Sequence, residues 1–413
     1  MKPTHFPAHG PPRLVQALLL SWLGIAFAAP AASAADVWQE IQFGGFASQG
    51  YLANTGHNDY LGQTSKGTFD FREYAASASW ANGPWRIGAQ AFGQKLGRYG
   101  DDKIMLDWAT VDYQPAQWFG VRAGRVKMPR GLYNEALDLD AVRPFVLLPQ
   151  SVYDNRLRDF DSFFDGGMVY GNRGRPGSGS IDYRFFYGKK PLSLNSGASD
   201  YFNADAPFVN KAIGIKSVIG GSVFWNTPVN GLRVGYSFSR FQDFDTVRYV
   251  IPKKADGHKF TPNYDRHLFS VEYIKAEWVF AAEAGRENVS YAVLYPSLPP
   301  TPALTGVRLF SKYRYYYLSA ARRINRWLEV GTYFSYSNFT QTGVNVLIGF
   351  PQLRQGDTAL SLRFDATDHL IFKLEGHYMD GAGKIFDFPA YPQPVAQRDN
   401  AWSMIAVKST YTF

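Results

Sequence analysis

Polar and apolar residues alternate with a period of two along most of the chain after residue 40, and this alternation constrains the fold most strongly. In one stretch, Leu360, Leu362 and Phe364 alternate with serine, arginine and aspartate. A period of two places successive side chains on opposite faces of a β-strand. The sequence therefore predicts strands with one aromatic and aliphatic face and one face that is charged, polar or rich in glycine.

The connectors between these strands alternate in length. The short ones are residues 81–84, 114–117, 174–179, 226–231, 275–277, 324–326 and 366–368. The longer ones are residues 53–66, 97–101, 128–162, 190–210, 246–264, 290–306, 340–356 and 381–398, of which 97–101 is brief. About seven turns and eight loops imply about 16 strands of roughly 9–14 residues, the length of tilted strands that cross a bilayer.

The predicted fold class is all-β, a transmembrane antiparallel β-barrel with short periplasmic turns and long external loops. An even number of strands puts both chain ends in the periplasm. A soluble β-sandwich or propeller would also show alternation, but it would not show a short–long rhythm of connectors. The content of aromatic residues is 16%, which suits both strands and the aromatic belts at membrane surfaces.

Residues 1–35 have the three parts of a secretory signal peptide. Lys2 and Arg13 are basic, residues 14–29 are apolar, and small residues at 31–35 precede Asp36. Cleavage is expected after Ala34 or Ala35, which makes residues 36–413 the barrel domain. A retained anchor is the alternative, but the apolar run is shorter than the ~20 residues needed to span a bilayer. The sequence thus predicts export to the Gram-negative outer membrane.

The last strand carries a separate signal. Ile405, Val407, Tyr411 and Phe413 share one face of residues 400–413, and the chain ends in an aromatic residue. This pattern resembles the C-terminal signal that the barrel assembly machinery of the outer membrane reads. That machinery is therefore an expected partner, as is outer-membrane lipid.

A short motif before the longest loop resembles a family. The segment from Gly124 to Leu132 reads GRVKMPRGL, and it is similar to the Gly-x-Phe-Lys-x-Pro-Phe-Gly stretch of porins related to the phosphate-selective porins. Lys127, Pro129 and Gly131 match that stretch, whereas Val126 replaces an aromatic residue and Arg130 stands where phenylalanine is usual. The resemblance implies a porin-like channel, a homotrimer and a third external loop folded into the pore. It does not carry over phosphate selectivity, because an arginine ladder and a run of lysines are missing.

Residues 128–162 form the predicted constriction. Loops of about 35 residues are uncommon unless they are functional, and the apolar run Pro144–Pro149 suits a loop tucked into the lumen. Charged rings in a constriction set the selectivity of a pore. The residues predicted to form it are Arg125, Lys127, Arg130, Asp138, Asp140, Arg143, Arg156, Arg158, Asp159 and Asp161. The alternatives are a loop held by local salt bridges of Arg156 or Arg158 with Asp159 or Asp161, and a calcium site on the paired aspartates.

Strand parity predicts a further set of charges that line the lumen. The basic ones are Arg86, Arg184, Arg233, Arg363, Lys373 and Lys408, and the acidic ones that oppose them are Glu73, Glu272, Glu283, Asp365 and Glu375. The near-even balance favours a weakly selective hydrophilic pore. The formal net charge of +8 is spread along the chain, which argues against nucleic-acid binding and suits a mild preference for anions or anionic lipid.

The sequence predicts a channel and no enzyme. A nucleophile elbow, metal-ligand spacing and a phosphate-binding loop are all missing, so we expect no cofactor and no metal. The predicted function is passive diffusion of small hydrophilic solutes, with anions as one candidate class, through a loop-constricted pore. The alternative is a barrel plugged by its own loops that serves as an adhesion or scaffold protein without conductance.

Overall fold

The structure is a computed structural model that describes residues 41–201, 208–250, 255–294, 305–343, 354–385, 393 and 397–413. The predicted signal peptide at residues 1–35 lies outside the described residues. Within the described ranges, no helix is long and apolar enough to cross a membrane.

Sixteen antiparallel strands form a closed barrel in which each strand pairs with its neighbours in sequence. The strands β1 to β16 are Gln42–Asn54, Phe71–Asn82, Trp85–Leu96, Met105–Ala116, Phe119–Lys127, Phe163–Arg175, Gly179–Lys190, Phe208–Asn226, Leu232–Val250, Ala255–Lys275, Trp278–Leu294, Thr305–Arg323, Leu328–Gly343, Arg354–Asp365, Leu370–Gly381 and Ala401–Thr412. This confirms the predicted fold class, including the strand number. Two helices, α1 (Arg158–Asp161) and α2 (Gly197–Tyr201), and four single 3₁₀ turns lie in the described external loops.

The barrel closes where β1 meets β16. The register pairs Phe46 with Thr412 and Asn54 with Met404. Beyond the strand, the amide of Phe413 donates to the carbonyl of Gly45 at 3.1 Å, and the amide of Gly45 donates back at 3.1 Å. A Cβ on Gly45 would lie 2.5 Å from the Phe413 ring, so only glycine leaves room for the terminal aromatic.

The seven short turns fall where the sequence places them, and each longer connector overlaps its predicted range, but several strands are longer than predicted. Residues 246–264 were expected to be a loop, yet β9 runs to Val250 and β10 starts at Ala255. The strand β10 has 21 residues, more than a bilayer crossing requires. The additional residues lengthen β9 and β10 at the ends that bear the long connector.

The two faces of the strands separate by polarity. Leu360 is 58% exposed on the outside, whereas Ser361 and Arg363 are buried inside. Aromatic residues gather on the outer face near both ends of the barrel. Near the periplasmic end lie Trp85, Trp118, Trp278, Trp327 and Tyr411. Near the end that bears the long connectors lie Phe69, Tyr187, Phe310 and Tyr378.

Candidate functional site

The loop of residues 128–162 folds into the barrel, starting from a closed neck. The amide of Met128 donates to the carbonyl of Ser162 at 2.9 Å. The Asn134 side chain donates to the carbonyls of Met128 and Asp161, at 2.8 and 2.7 Å. Gly131 has a φ of +60°, a conformation that glycine adopts at little cost. These contacts direct the chain inward immediately after β5.

Glu283 on β11 holds the first part of the loop. Its carboxylate accepts hydrogen bonds from the amide of Leu132 at 3.0 Å and from the hydroxyl of Tyr153. It also accepts from Ser270 at 2.5 Å and from Tyr317 at 3.0 Å. Glu283 is 2% exposed, and a buried carboxylate needs such donors to offset its desolvation.

The strand β15 holds the middle of the loop by its backbone. The Glu375 carboxylate accepts from the amides of Val146 at 2.9 Å and Leu147 at 3.0 Å. Lys373 donates to the carbonyls of Asp140 at 2.6 Å and Phe145 at 3.2 Å. The predicted lumen residues Glu375 and Lys373 thus bind the loop directly.

Arg363 and Ser361 on β14 extend the same contact. Arg363 donates to the carbonyls of Ala141 at 2.6 Å and Arg143 at 3.3 Å. The Ser361 hydroxyl donates to the carbonyl of Pro144 at 3.0 Å. The apolar run Pro144–Pro149 therefore lies against the inside of the barrel wall.

Four of the charged groups around the neck form a neutral buried cluster. Arg158 donates to Asp107 on β4 at 2.7 Å and to Asp138 at 2.8 Å. Lys127 lies 2.5 Å from Asp107 and also pairs with Asp138. The Arg158 guanidinium stacks 3.5 Å from the centre of the Phe92 ring. The local pairing of Arg158 with Asp159 or Asp161, expected as one alternative, is not formed.

A second cluster joins the loop to β10 and β11. Asp161 pairs with Arg266, which also donates to Glu287 at 2.9 Å. Arg130 lies 3.7 Å from Asp161 and donates to the carbonyl of Val152 at 2.8 Å. Two cations and two acids again balance.

Asp140 is the centre of a third cluster, in which cations outnumber acids. Lys373 lies 3.0 Å from its carboxylate, Lys408 and Arg143 lie 3.4 Å away, and Thr410 donates at 2.8 Å. Lys408 also reaches Glu73 on β2 at 2.5 Å. The loop is thus tied to the strands on both sides of the closing seam.

Asp154 forms a fourth cluster near the external end. It accepts from Arg156 at 2.8 Å and from Lys384 at 2.8 Å. Arg156 in turn donates to the carbonyl of Lys384 at 2.6 Å. Arg156 thus pairs with Asp154, and among the described residues we find no ion pair of Arg156 with Asp159 or Asp161, the pairing expected as one alternative.

Arg125 lies outside the constriction, contrary to the prediction. It has the same strand parity as Val121, an exposed residue on the outer face, and it pairs at 2.7 Å with Asp165, its register partner on β6. Gly120 and Gly124 gave this strand two small faces, so its parity was ambiguous from sequence. Asp159 lies in the loop, and we find no ion pair to it within the part of the chain that the structure describes.

The remaining predicted lumen residues, Arg86, Arg184 and Arg233, lie on the inner face toward the periplasmic end. Arg184 is 3.5 Å from Glu135 of the loop, and Arg233 is 3.8 Å from Asp182. Arg86 donates to the Gln114 side chain at 3.2 Å. Their side chains are only partly buried, unlike those of the four clusters, so the vestibule below the loop is the wetter part of the interior.

The inner face is also more apolar than predicted. Leu157 and Phe160 of the loop pack on Phe164, Phe241 and Tyr264 of the wall. Other loop residues pack in the same way in two further clusters, whose members include Val146, Leu147, Leu52 and Phe71 in one and Leu148, Val152, Leu268 and Tyr315 in the other. The inward face therefore has apolar partners for the loop, in addition to charged and polar groups.

Several partners of the predicted residues were missed from the sequence. Arg266, Glu287 and His377 share strand parity with Glu272, Glu283 and Glu375, and parity alone could have found them. His377 lies between Asp357 and Glu375, 3.0 Å from each. Asp107 is different, because the register between β3 and β4 shifts beside it, and a bulge of this kind is invisible to simple alternation.

The pKa of Asp154 predicts how the loop responds to acid. Burial raises this pKa, but Arg156 and Lys384 outweigh burial and hold it well below 3.8, the ordinary value. A folded pKa below the unfolded one gives stabilisation that is complete above the unfolded pKa and is lost as pH falls through the folded pKa. We therefore expect the loss of unfolding free energy in Asp154→Asn to be constant from about pH 7 to about pH 5 and to shrink below about pH 3.8. Denaturant unfolding at a series of pH values checks this, and a loss that already fades near about pH 6 would contradict it.

A closed barrel of sixteen antiparallel strands with one long loop inside is the fold of the Gram-negative outer-membrane porins. It is similar to the outer-membrane channel DcaP of Acinetobacter baumannii, at 7% identity and a TM-score of 0.54 over 90% of this chain and 97% of that one. It is also similar to the anion-selective porin of Comamonas acidovorans, at 12% identity and a TM-score of 0.51 over 90% of this chain and 99% of that one. A third similar structure is a loop L8 deletion mutant of OmpT, an outer-membrane protein of Vibrio cholerae. It has 11% identity and a TM-score of 0.53 over 90% of this chain and 99% of that one. No family model and no curated protein matches the sequence.

Proposed function

We propose that this chain is an outer-membrane channel through which small hydrophilic solutes diffuse passively, with the loop of residues 128–162 as its constriction. The observation that carries the proposal is a closed barrel of sixteen strands with the loop of residues 128–162 anchored across its interior. Barrels of about 16–18 strands are wide enough to leave an aqueous channel. The fold is also that of an anion-selective porin and of an outer-membrane channel.

The constriction that we propose consists of the predicted loop charges without Arg125. Its buried clusters pair each acid with one or more cations, which supports weak charge selectivity. Arg86, Arg184 and Arg233 lie on the inner face of the vestibule and favour anions there. Solutes would pass between the loop and the wall, or after the loop moves.

The second candidate is a barrel without conductance that acts as an adhesion or scaffold protein. The observation that favours it is the packing of the loop, whose apolar side chains fill the space between the loop and several strands. A plugged barrel would keep this packing permanently, whereas a channel needs either a residual path or a mobile loop.

We expect single-channel steps from the purified full-length protein in a planar bilayer, and the reversal potential in a salt gradient will give its ion preference. Absence of steps would reject the channel and favour the scaffold. We also propose that the chain assembles as a homotrimer and that its last strand, which ends at Phe413, engages the barrel assembly machinery. Cross-linking in native membranes tests the first of these two proposals, and deletion of Phe413 tests the second.

A crosslink can test whether the loop must move. The amide of Ser151 in the loop lies 3.3 Å from the hydroxyl of Ser335 on β13, and the chain contains no cysteine. If opening requires loop movement, Ser151→Cys combined with Ser335→Cys should abolish conductance when oxidised and restore it on reduction. The two single variants are the controls. Equal conductance of the oxidised and reduced forms would show that solutes pass a stationary loop.

A further inference from the structure

The outer wall of the barrel carries two arginines that face each other without an acid. Arg286 on β11 and Arg314 on β12 are direct register partners. Both are exposed, and they have the strand parity of Phe280 and Leu318, which lie on the lipid side. Like charges directly opposite each other destabilise a sheet. An anion between or above the two guanidinium groups would offset their repulsion.

The surroundings do not provide that anion. Among the described residues, we find no ion pair for Arg286 or Arg314 and none for the side chain of Lys312, two positions further toward the external end of β12. The nearest outward acid is Asp265, and its carboxylate is held by both guanidinium donors of Arg240, at 2.6 and 2.9 Å. The three cations therefore form a local basic patch on a surface that faces lipid.

Directly below the patch, toward the membrane centre, lies an aromatic row. The register places Tyr316 one outward position below Arg314 and pairs it with Tyr336, with ring centres 5.5 Å apart. Rings of this kind sit at the headgroup level of a bilayer. The arginines are therefore at the height of lipid headgroups in the external leaflet.

Below the aromatic row, the same strands form an apolar groove with a volume of about 490 Å³. Small outward residues, Ala282, Ala320 and Thr332, make its floor, and the larger Leu318 and Phe334 make its sides. From Arg286 to Ala282 along β11 is about 13 Å at the usual rise of a strand. A charged headgroup site thus lies above an apolar groove whose lining suits a hydrocarbon chain.

We propose that this wall binds lipid A, the phosphorylated lipid of lipopolysaccharide, with Arg286 and Arg314 on a phosphate and an acyl chain in the groove. The assignment follows from charge complementarity, because guanidinium groups bind phosphate through paired hydrogen bonds. It follows also from the position of the patch at the end of the barrel that bears the long loops, which faces the lipopolysaccharide leaflet. The site rests on the proposed outer-membrane location and is independent of conductance.

Native mass spectrometry of the full-length protein in detergent, titrated with diphosphorylated lipid A, tests the site. Arg286→Gln combined with Arg314→Gln should weaken binding about tenfold or more, the effect of losing one hydrogen bond to a charged group. Arg322→Gln is the matched control, because Arg322 is also an outward arginine on β12 but lies at the periplasmic end, over Trp278. Unchanged binding in the double variant, or an equal loss in the control, would overturn the proposal.

Two further binding experiments identify the chemistry of the ligand. Lipid A without phosphates and phosphatidylglycerol should both bind more weakly than diphosphorylated lipid A, and equal binding of phosphatidylglycerol would reject the assignment to lipid A. Ala282→Phe combined with Ala320→Phe should fill the groove and weaken binding. Unchanged affinity would show that the acyl chain does not bind in the groove. Circular dichroism and single-channel recording of each variant separate loss of the site from loss of the fold or of the channel.

Discussion

Replacement of Arg158 by methionine is expected to lower the free energy of unfolding by about 3–5 kcal/mol, because removing one partner of a buried ion pair leaves the other buried charge uncompensated. Arg158 is 4% exposed and holds two carboxylates, Asp107 and Asp138. Without it, Lys127 alone must balance two buried acids. We expect the loop to leave its site part of the time, with larger conductance and cation preference in the bilayer and with new trypsin cleavage inside the loop. Denaturant unfolding, bilayer recording and limited proteolysis measure the three kinds of effect.

The design of this experiment includes a compensating variant. Adding Asp138→Asn to Arg158→Met leaves Lys127 with Asp107, a balanced pair, and should restore part of the lost stability. Arg175→Met, at the exposed end of β6 beside a periplasmic turn, should change stability by no more than about 0.5 kcal/mol. Resistance to trypsin equal to that of the unaltered protein would show that the cluster does not hold the loop.

Substitution of Gly131 by alanine should displace the entry of the loop. A Cβ at this position would lie 2.5 Å from the Glu283 carboxylate and 2.5 Å from the Tyr153 hydroxyl. Both groups are buried, and both accept a hydrogen bond from the amide of Leu132, at 3.0 Å each. The Tyr153 hydroxyl also donates to the other oxygen of the Glu283 carboxylate, so neither group can move without breaking these bonds. Crowding of this kind in a packed interior costs about 1–3 kcal/mol, in addition to the strain of a positive φ.

Gly177 supplies the matched control for this substitution. It has a φ of +76° in a periplasmic turn, and a Cβ there would meet nothing within 4 Å. Gly177→Ala therefore has the backbone strain alone, about 1–2 kcal/mol. The excess loss of unfolding free energy in Gly131→Ala, with greater proteolysis of the loop, measures the closeness of the loop to β11. Equal losses of unfolding free energy in the two variants would show that the loop does not pack against β11 at Gly131.

The sequence predicted the barrel better than its contents. Strand number, turns and inward charges such as Lys373 and Glu375 follow from a period of two, because that period reflects the geometry of every strand. The partners of the loop charges do not follow, since Arg158 and Asp107 are 51 positions apart and meet only through tertiary folding. The aromatic residues that pack inside, such as Tyr315, have the inward parity that was expected to be polar. Their signal was the apolar run after Arg143, which required apolar partners within the barrel.

The seam between β1 and β16 has a consequence for the order of assembly. The hydrogen bond from Thr410 to Asp140 joins residues 270 positions apart, and that from Lys408 to Glu73 joins residues 335 apart. Contacts between such distant segments must wait until the chain ends have met, because closing long loops is costly in entropy and slow. The inward loop therefore gains its last anchors only when the barrel closes. An assembly intermediate that lacks β16 would have two open sheet edges and an incompletely anchored loop. Barrel closure is therefore the step that removes both of the exposed features by which quality control could recognise an unfinished barrel.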